Sequence, residues 1–248
     1  MNLSGEIKCF GAILVVWATF GTLGAAWSAN PDALWHIVHE KCAVTVAPCL
    51  LVDEKEHLAF LKDLKGIAQV LAIPTDEITG VEDPALLKPE TPNFFADAWE
   101  RRATMLSRLS KPISRDSISL VVNAKTARTQ NQLHIHIDCL SVTARDALRI
   151  AAGTVTEDWH PLGLKVEGHD FIARKVKGET LGDFNPFRAV AETLKDPEAE
   201  MYHQNVIVVG AEFEDGPGFL ILTDAAPVIP LGFGGGEDVQ DHDCKIAH

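Results

Sequence analysis

Arg128-Thr-Gln-Asn-Gln-Leu-His-Ile-His-Ile-Asp-Cys-Leu140 is the stretch from which the rest of the chain is read. Polar Gln132, His134, His136 and Asp138 alternate with apolar Leu133, Ile135 and Ile137, the period of two of a half-buried strand. One face of such a strand packs, and the other presents two imidazoles. Residues two apart on a strand lie about 6.6 Å apart, so both rings can address one diphosphate. A neutral imidazole has an ordinary pKa of about 6.5 and keeps a lone pair at physiological pH. One ring can therefore attack phosphorus while the other donates to the phosphate oxygens or the leaving group. The phosphoramidate so formed is open to water.

The same residues admit other readings. His-x-His on a strand is also a polar face turned to water, or a pair of zinc ligands. His134-Ile-His136-Ile-Asp138 resembles the opening of the metallo-β-lactamase motif, but Cys139 stands where that motif has histidine. Gln132-Leu-His-Ile-His-Ile137 is similar to the histidine-triad signature, three histidines at alternate positions of which the middle one attacks a nucleoside phosphate. The resemblance implies His134 as nucleophile, His136 as the third histidine, and Gln132 in the place of the first. It implies that the loop before the strand reaches the substrate phosphates, through Asn123, Lys125, Arg128, Gln130 and Asn131, with Gln132 beside them. Lys111 and Arg115 are further basic candidates for phosphate contact.

Outward from the histidines, Ser117–Asn123 reads as the preceding strand, and Gln69–Pro74 as a strand stopped by proline. Asn93 is placed to cap a helix carrying Phe94, Phe95, Ala98 and Trp99, and Asp32–Lys41 a short helix with His36 and His39 on its flanks. The second half echoes the first. Phe171–Gly182 repeats the pattern of Val70–Gly80, Asn185-Pro-Phe that of Pro92-Asn-Phe, Val206–Gly210 that of Ser119–Asn123, and Gly218–Thr223 that of the histidine strand without its histidines. Trp159–Gly168 reads as the linker between halves, with His169 beyond it, and Gly232–Gly236 as a flexible turn, since it lacks the Gly-Lys-Ser/Thr ending of a phosphate loop.

Cys9–Ser28 is uncharged and rich in Leu, Val, Phe and Trp over 20 residues, the length that crosses a bilayer core of about 30 Å as a helix. It reads as a retained anchor, with a cleaved signal as the alternative because small residues at 24–26 suit a peptidase. Lys8 before the run and Asp32 after it favour an outward-facing C-terminal region. Cys42, Cys49, Cys139 and Cys244 remain, an even number suited to an oxidising compartment. Of three possible pairings, Cys42–Cys49 with Cys139–Cys244 is the expected one; reduced thiols are the alternative. The net charge of −13 lies wholly outside residues 1–29, where Glu6 and Lys8 cancel. Such a chain is no general nucleic-acid binder, and an anionic substrate must be met by local basic groups.

Taken in order, the N-terminal run, Thr91-Pro-Asn-Phe-Phe, Arg128-Thr-Gln-Asn, His134-Ile-His136-Ile, Cys139, Gly168-His169, Pro186-Phe187 and Gln240-Asp-His-Asp-Cys244 resemble the bacterial CDP-diacylglycerol pyrophosphatases of the histidine-triad superfamily. The resemblance implies an α+β chain: an anchor at 1–29, a catalytic half at 30–160 and a degenerate half at 161–248, two fused histidine-triad-like halves forming a pseudo-dimer. It implies hydrolysis of CDP-diacylglycerol to CMP and phosphatidate in phospholipid metabolism, without metal or cofactor, by a single-pass protein of the bacterial inner membrane with its soluble part in the periplasm. Its expected partners are the liponucleotide and the bilayer. Alternatives are a nucleotide pyrophosphatase or nucleotidyl transferase acting on soluble substrates, and a noncatalytic nucleotide- or metal-binding protein.

Overall fold

The computed structural model describes Met1, residues 30–228 and residues 234–248. The expected membrane span at 9–28 and the first part of the glycine-rich run lie outside the described residues. Among the described residues no helix is long and apolar enough to cross a membrane.

Nine strands among these residues form one sheet: β1 Leu51–Asp53, β2 Leu58–Lys62, β3 Val70–Pro74, β4 Ile118–Val122, β5 Ile135–Cys139, β6 His160–Pro161, β7 Ile172–Lys177, β8 Gln204–Phe213 and β9 Gly216–Ala225. Their order is β1-β2-β3-β5-β4-β8-β9-β7-β6, and every pairing is antiparallel. The two strands in the middle, β4 and β8, pair over Ser119–Val122 and Val206–Val209. Outward from that pair the order is β4-β5-β3-β2 on one side and β8-β9-β7-β6 on the other. The stretches on either side of residue 160 thus share one sheet, and one buried cluster contains Ile135 and Ile137 of the first with Phe187 and Phe219 of the second. Part of the expected linker is strand: His160–Pro161 pairs with Ile172 and Ala173.

Among the described residues, four α-helices of five or more residues lie over the sheet. α1 Ala33–Ile37 continues as a π-helical turn to Cys42; α2 is Phe94–Glu100, α3 Val142–Ala152 and α4 Pro186–Ala191. α2 begins where Asn93 accepts from the Ala96 amide at 3.4 Å, and α4 where Asn185 accepts from Phe187 and Arg188 at 3.0 and 3.2 Å, with proline as its first residue. Each cap is worth about 1 kcal/mol. Phe94, Phe95, Trp99 and Phe187 from α2 and α4 bury against Ile135, Ile137 and Leu120 on one face of the sheet.

The opposite face carries two separate apolar clusters. At one end Leu34, Val38 and the Cys42–Cys49 disulfide pack on Ala59, Leu71 and Ile73. At the other, Ala144, Leu148 and Ala151 of α3 pack with Val121, Ile207, Leu220 and Leu222. Register sets what lies between, for His136 pairs with Leu71 of the first cluster and with Val121 of the second.

After β9 the chain returns to the first half. A 3-10 turn, Gly236–Val239, lies over β4, Gln240 bridges to Leu140, and Cys244 bonds Cys139. Both disulfides follow the expected pairing. The second closes a separation of 105 residues, which in the chain-entropy picture stabilises by about 4–5 kcal/mol. The glycines here serve close packing: a Cβ on Gly236 would sit 2.8 Å from Val121 Cγ1, and one on Gly235 3.0 Å from Asn123 Oδ1.

Candidate active site

β5 is not half-buried. It runs between β3 and β4 with every residue buried, His136 and Asp138 included, and His134 and Gln132 just before it are buried as well. The polar face that the alternation assigns to solvent is roofed by α1 on one side and the C-terminal tail on the other. Enclosed polar groups are costly unless they are hydrogen-bonded, and the partners they find define the chemistry.

His134 Nδ1 lies 2.7 Å from the Gln132 carbonyl oxygen. A carbonyl only accepts, so Nδ1 carries the proton and Nε2 of the neutral ring holds the lone pair. Burial pushes the His134 pKa below its ordinary value, outweighing the raising effect of that hydrogen bond. The ring is therefore neutral at pH 7 and in the tautomer of a nucleophile. The His136 ring stands with its centroid 4.8 Å from that of His134. Its Nδ1 is 3.0 Å from both the Gln69 amide nitrogen and Glu237 Oε1. Burial, and next the neighbouring His134, hold His136 well below its ordinary pKa. In that neutral ring Nδ1 accepts from Gln69 and Nε2 bears the proton, whereas in the protonated ring Nδ1–H donates to the Glu237 carboxylate. Among the described residues His136 Nε2 is buried with no hydrogen-bond partner.

Glu237 is the residue that sequence reading passed over. It lies 101 positions after His136 in the sequence, yet it is held against the histidine by Asn123, whose amide donates to Oε2 at 2.5 Å and accepts from the Glu237 backbone N–H at 3.2 Å. Gln69 donates to Oε1 at 3.2 Å. The only local signal was an acidic pair following glycines. Two residues beyond His136, Asp138 accepts from the Cys139 amide at 2.8 Å and pairs with His242 Nδ1 at 2.8 Å. The Asp138 hydrogen bond raises His242 above its ordinary pKa against the opposing effect of burial. Gln240 donates to Ser119 Oγ and to the His136 carbonyl at 3.0 and 3.2 Å.

The expected substrate contacts divide. Asn123, Arg128, Gln130, His134, His136 and Glu237 line a cavity of about 540 Å³. Arg128 gives both guanidinium nitrogens to Glu82 at 2.6 Å and its Nε to the Gln130 carbonyl at 2.9 Å, and its side chain is 4% exposed. It acts as a latch on the loop, its charge met by the Glu82 carboxylate. Burial alone would raise Glu82, but Arg128 overrides it and keeps that carboxylate below its ordinary pKa. Gln130 accepts from the Leu34 amide at 3.0 Å and donates to the Asn30 carbonyl at 3.1 Å, while the Asn131 amide donates to the Pro31 carbonyl at 2.7 Å. These two residues grip the entry to α1. Lys125 points from the loop toward Glu82 at 3.5 Å and does not line the cavity.

Gln132 stands behind the cavity and not in it. Its Nε2 donates to the Pro74 and Asp76 carbonyls at 2.9 and 2.8 Å, tying β5 to the turn after β3. Lys111 and Arg115 are also elsewhere: Lys111 donates to the His248 carbonyl, and Arg115 pairs with Glu179 and covers the Phe219 ring at 4.9 Å. Lys62 and Lys65 line the cavity instead, but Lys62 Nζ is engaged by the carbonyls of Asp63, Lys65 and Gly66. His169 is buried in the second half, between Asp224 at 2.6 Å and Asp238 at 3.1 Å. Among the described residues, the one tight group of potential metal ligands is Asp138 with Cys139 and Cys244, whose sulfurs are bonded to each other.

The arrangement joins a neutral lone-pair imidazole, an unpartnered imidazole N–H with a carboxylate behind it, and a cavity with a polar wall. It suits attack on phosphorus with stabilisation of the departing oxygen. Comparison with known proteins agrees in kind. The family model described as CDP-diacylglycerol pyrophosphatase matches residues 29–248. A CDP-diacylglycerol pyrophosphatase of Yersinia pestis is 34% identical over 224 residues, covering 88% of this chain and 86% of that protein.

Proposed function

The chain belongs to the CDP-diacylglycerol pyrophosphatase family, and on that premise we propose that it hydrolyses CDP-diacylglycerol to CMP and phosphatidate with His134 as the nucleophile. The observation that carries the choice of His134 is its Nδ1–H bond to the Gln132 carbonyl, which leaves Nε2 as the lone-pair atom beside the cavity. Nε2 attacks the phosphorus of the CMP half, and the bond from that phosphorus to the bridging oxygen breaks. Phosphatidate departs and a phosphoramidate of CMP remains. A bound diphosphate brings negative charge beside His136 and raises its proton affinity. Glu237 then accepts from Nδ1–H, and Nε2–H is given to the leaving oxygen. In the second step neutral His136 takes a proton from water, which attacks phosphorus and releases CMP and neutral His134.

The same frame supports the wider reading. The mirrored strand order about β4 and β8, together with the sequence echoes, is what two fused histidine-triad-like halves would produce, one active and one structural. The apolar run at 9–28 would anchor the chain in the bacterial inner membrane, with the disulfide-bonded part in the periplasm and the scissile bond of a lipid substrate close at hand. In this reading the histidines and Glu237 act without a metal.

The test is release of CMP from CDP-diacylglycerol in detergent micelles by wild type and His134→Ala, with and without chelator. Turnover that survives chelator and falls by at least about 10³-fold in the variant supports histidine nucleophilic catalysis. Turnover abolished by chelator would reassign the histidines to a metal, and an undiminished variant would remove His134 from the mechanism.

A further inference from the structure

The cavity has two kinds of wall. His134, His136, Asn123 and Glu237 supply its polar lining, while Leu34 and Ile37 of α1 and Pro48 and Leu64 of the loops at 43–50 and 63–67 supply apolar lining. A volume of about 540 Å³ falls in the range of about 300–1,000 Å³ that encloses one drug-sized ligand. It has room for a nucleotide diphosphate and not for two long acyl chains as well. Those chains must therefore remain outside, against whatever surrounds the apolar wall.

What surrounds it is a set of large apolar side chains facing solvent. Val44, Val46 and Leu50 flank Pro48 and are 73, 46 and 42% exposed, and Leu64 and Ile67 on the opposite loop are 103 and 49% exposed. Both loops are stiffened from within. The first is closed by the Cys42–Cys49 disulfide, and the second is wrapped around the Lys62 ammonium, which donates to three of its carbonyls. Exposed apolar residues gathered on two braced loops at one cavity mouth are not the scattered single residues of an ordinary surface. The chain also confines this mouth: the cavity wall begins at Ala33, five residues beyond the apolar run ending at Ser28, a reach of at most about 18 Å when fully extended.

We propose that the loops 43–50 and 63–67 dip into a lipid surface, so that the cavity opens onto the bilayer and receives the diphosphate head of the substrate while its acyl chains stay among the lipids. This inference rests on the reading of function above. The polar wall of the cavity then lies away from the lipid, and Lys65 at the rim stands where phosphate groups of the surface lie. Leu64, the most exposed of the five, is the deepest point of contact.

The experiment uses the full chain with two substrates, CDP-dioleoylglycerol in mixed micelles and CDP-dihexanoylglycerol dissolved as monomers. Ile67→Asp and Val44→Asp, at exposed positions on the two loops outside the cavity lining, should each lower turnover of the micellar substrate at least tenfold, through a raised apparent KM, and leave turnover of the monomeric one within twofold of wild type. Ile150→Asp, at an exposed site on α3 away from the cavity, should leave both within twofold. Micellar turnover unchanged in Ile67→Asp and Val44→Asp would overturn the proposal. Equal loss on both substrates would overturn it too, since the loops would then act on the site and not on a surface. A wild type that cleaves neither substrate would instead refute the reading of function on which the inference stands.

Discussion

The two sides of the sheet occupy the same frame and do opposite things with it. A single row of paired residues crosses the face that bears the histidines: Leu71, His136, Val121, Ile207, Leu222 and Ala173. Reading outward from Val121 and Ile207, His136 and Leu222 hold corresponding places. Two residues further on stand Asp138 and Asp224, and each carboxylate holds a histidine, His242 at 2.8 Å and His169 at 2.6 Å. Two residues back, His134 corresponds to Leu220. On one side the row is left partly open between α1 and the tail, and imidazoles line a cavity. On the other α3 closes over leucines. The difference teaches that the frame supplies position alone; which side becomes a site depends on what covers it.

The tail serves both sides with adjacent carboxylates, Glu237 to His136 and Asp238 to His169. This makes the comparison breakable one residue at a time. Glu237→Gln should reduce kcat about 100-fold, the lower end of the roughly 10²–10⁴ that general acid catalysis contributes, and change the pH profile of turnover. Asp238→Asn should leave turnover near wild type at pH 6. Equal losses in the two variants would mean that the tail acts as a single structural strap, with no separate role for Glu237.

Dependence on pH sharpens the contrast. His169 is raised above its ordinary pKa by its hydrogen bond to Asp224, against the opposing effect of burial, and His242 likewise by Asp138. A histidine whose folded pKa exceeds the unfolded value of about 6.5 stabilises fully below that value and ceases to do so as pH rises through the folded pKa. Protection factors of the amides at 236–244, which remove the base-catalysed rise of intrinsic exchange, should therefore fall as pH rises above 7, and Asp238→Asn should blunt the change. His134 runs the other way. Its lowered pKa keeps the lone pair available, so the acid limb of turnover should lie below pH 6.5. Protection that stays constant or grows on raising the pH would contradict the clamps.

The smallest effect is expected at the place where the strand departs from three histidines. Gln132→His keeps one of the two side-chain donors now given to Pro74 and Asp76, so thermal stability should fall by about 1 kcal/mol with turnover within a few-fold. Loss of turnover with an intact fold would bring residue 132 into the reacting group.

Periodicity and local chemistry made much of this legible. The alternation at 132–138, the asparagine cap at 93 and the strands at 70–74 and 118–122 could be read from neighbours in the chain, because strands, caps and turns are decided within a few residues. β1, β2 and α3 were not anticipated, and β8 and β9 run longer than their apolar cores, since pairing with a neighbour extends a strand past the residues that signal it. The burial of the polar face of β5 was hidden for the same reason: period two says which residues share a face and nothing about what lies over it. Only tertiary structure brought Glu237, Gln240 and His242 across about a hundred residues to that face, turned Gln130 and Asn131 toward α1, and withdrew Gln132 and Lys125 from the cavity. By itself the sequence determined which polar side chains alternate along one strand and which strand bears them. Which of them meet was decided by packing, because buried polar groups take whatever partners the closing of the core supplies.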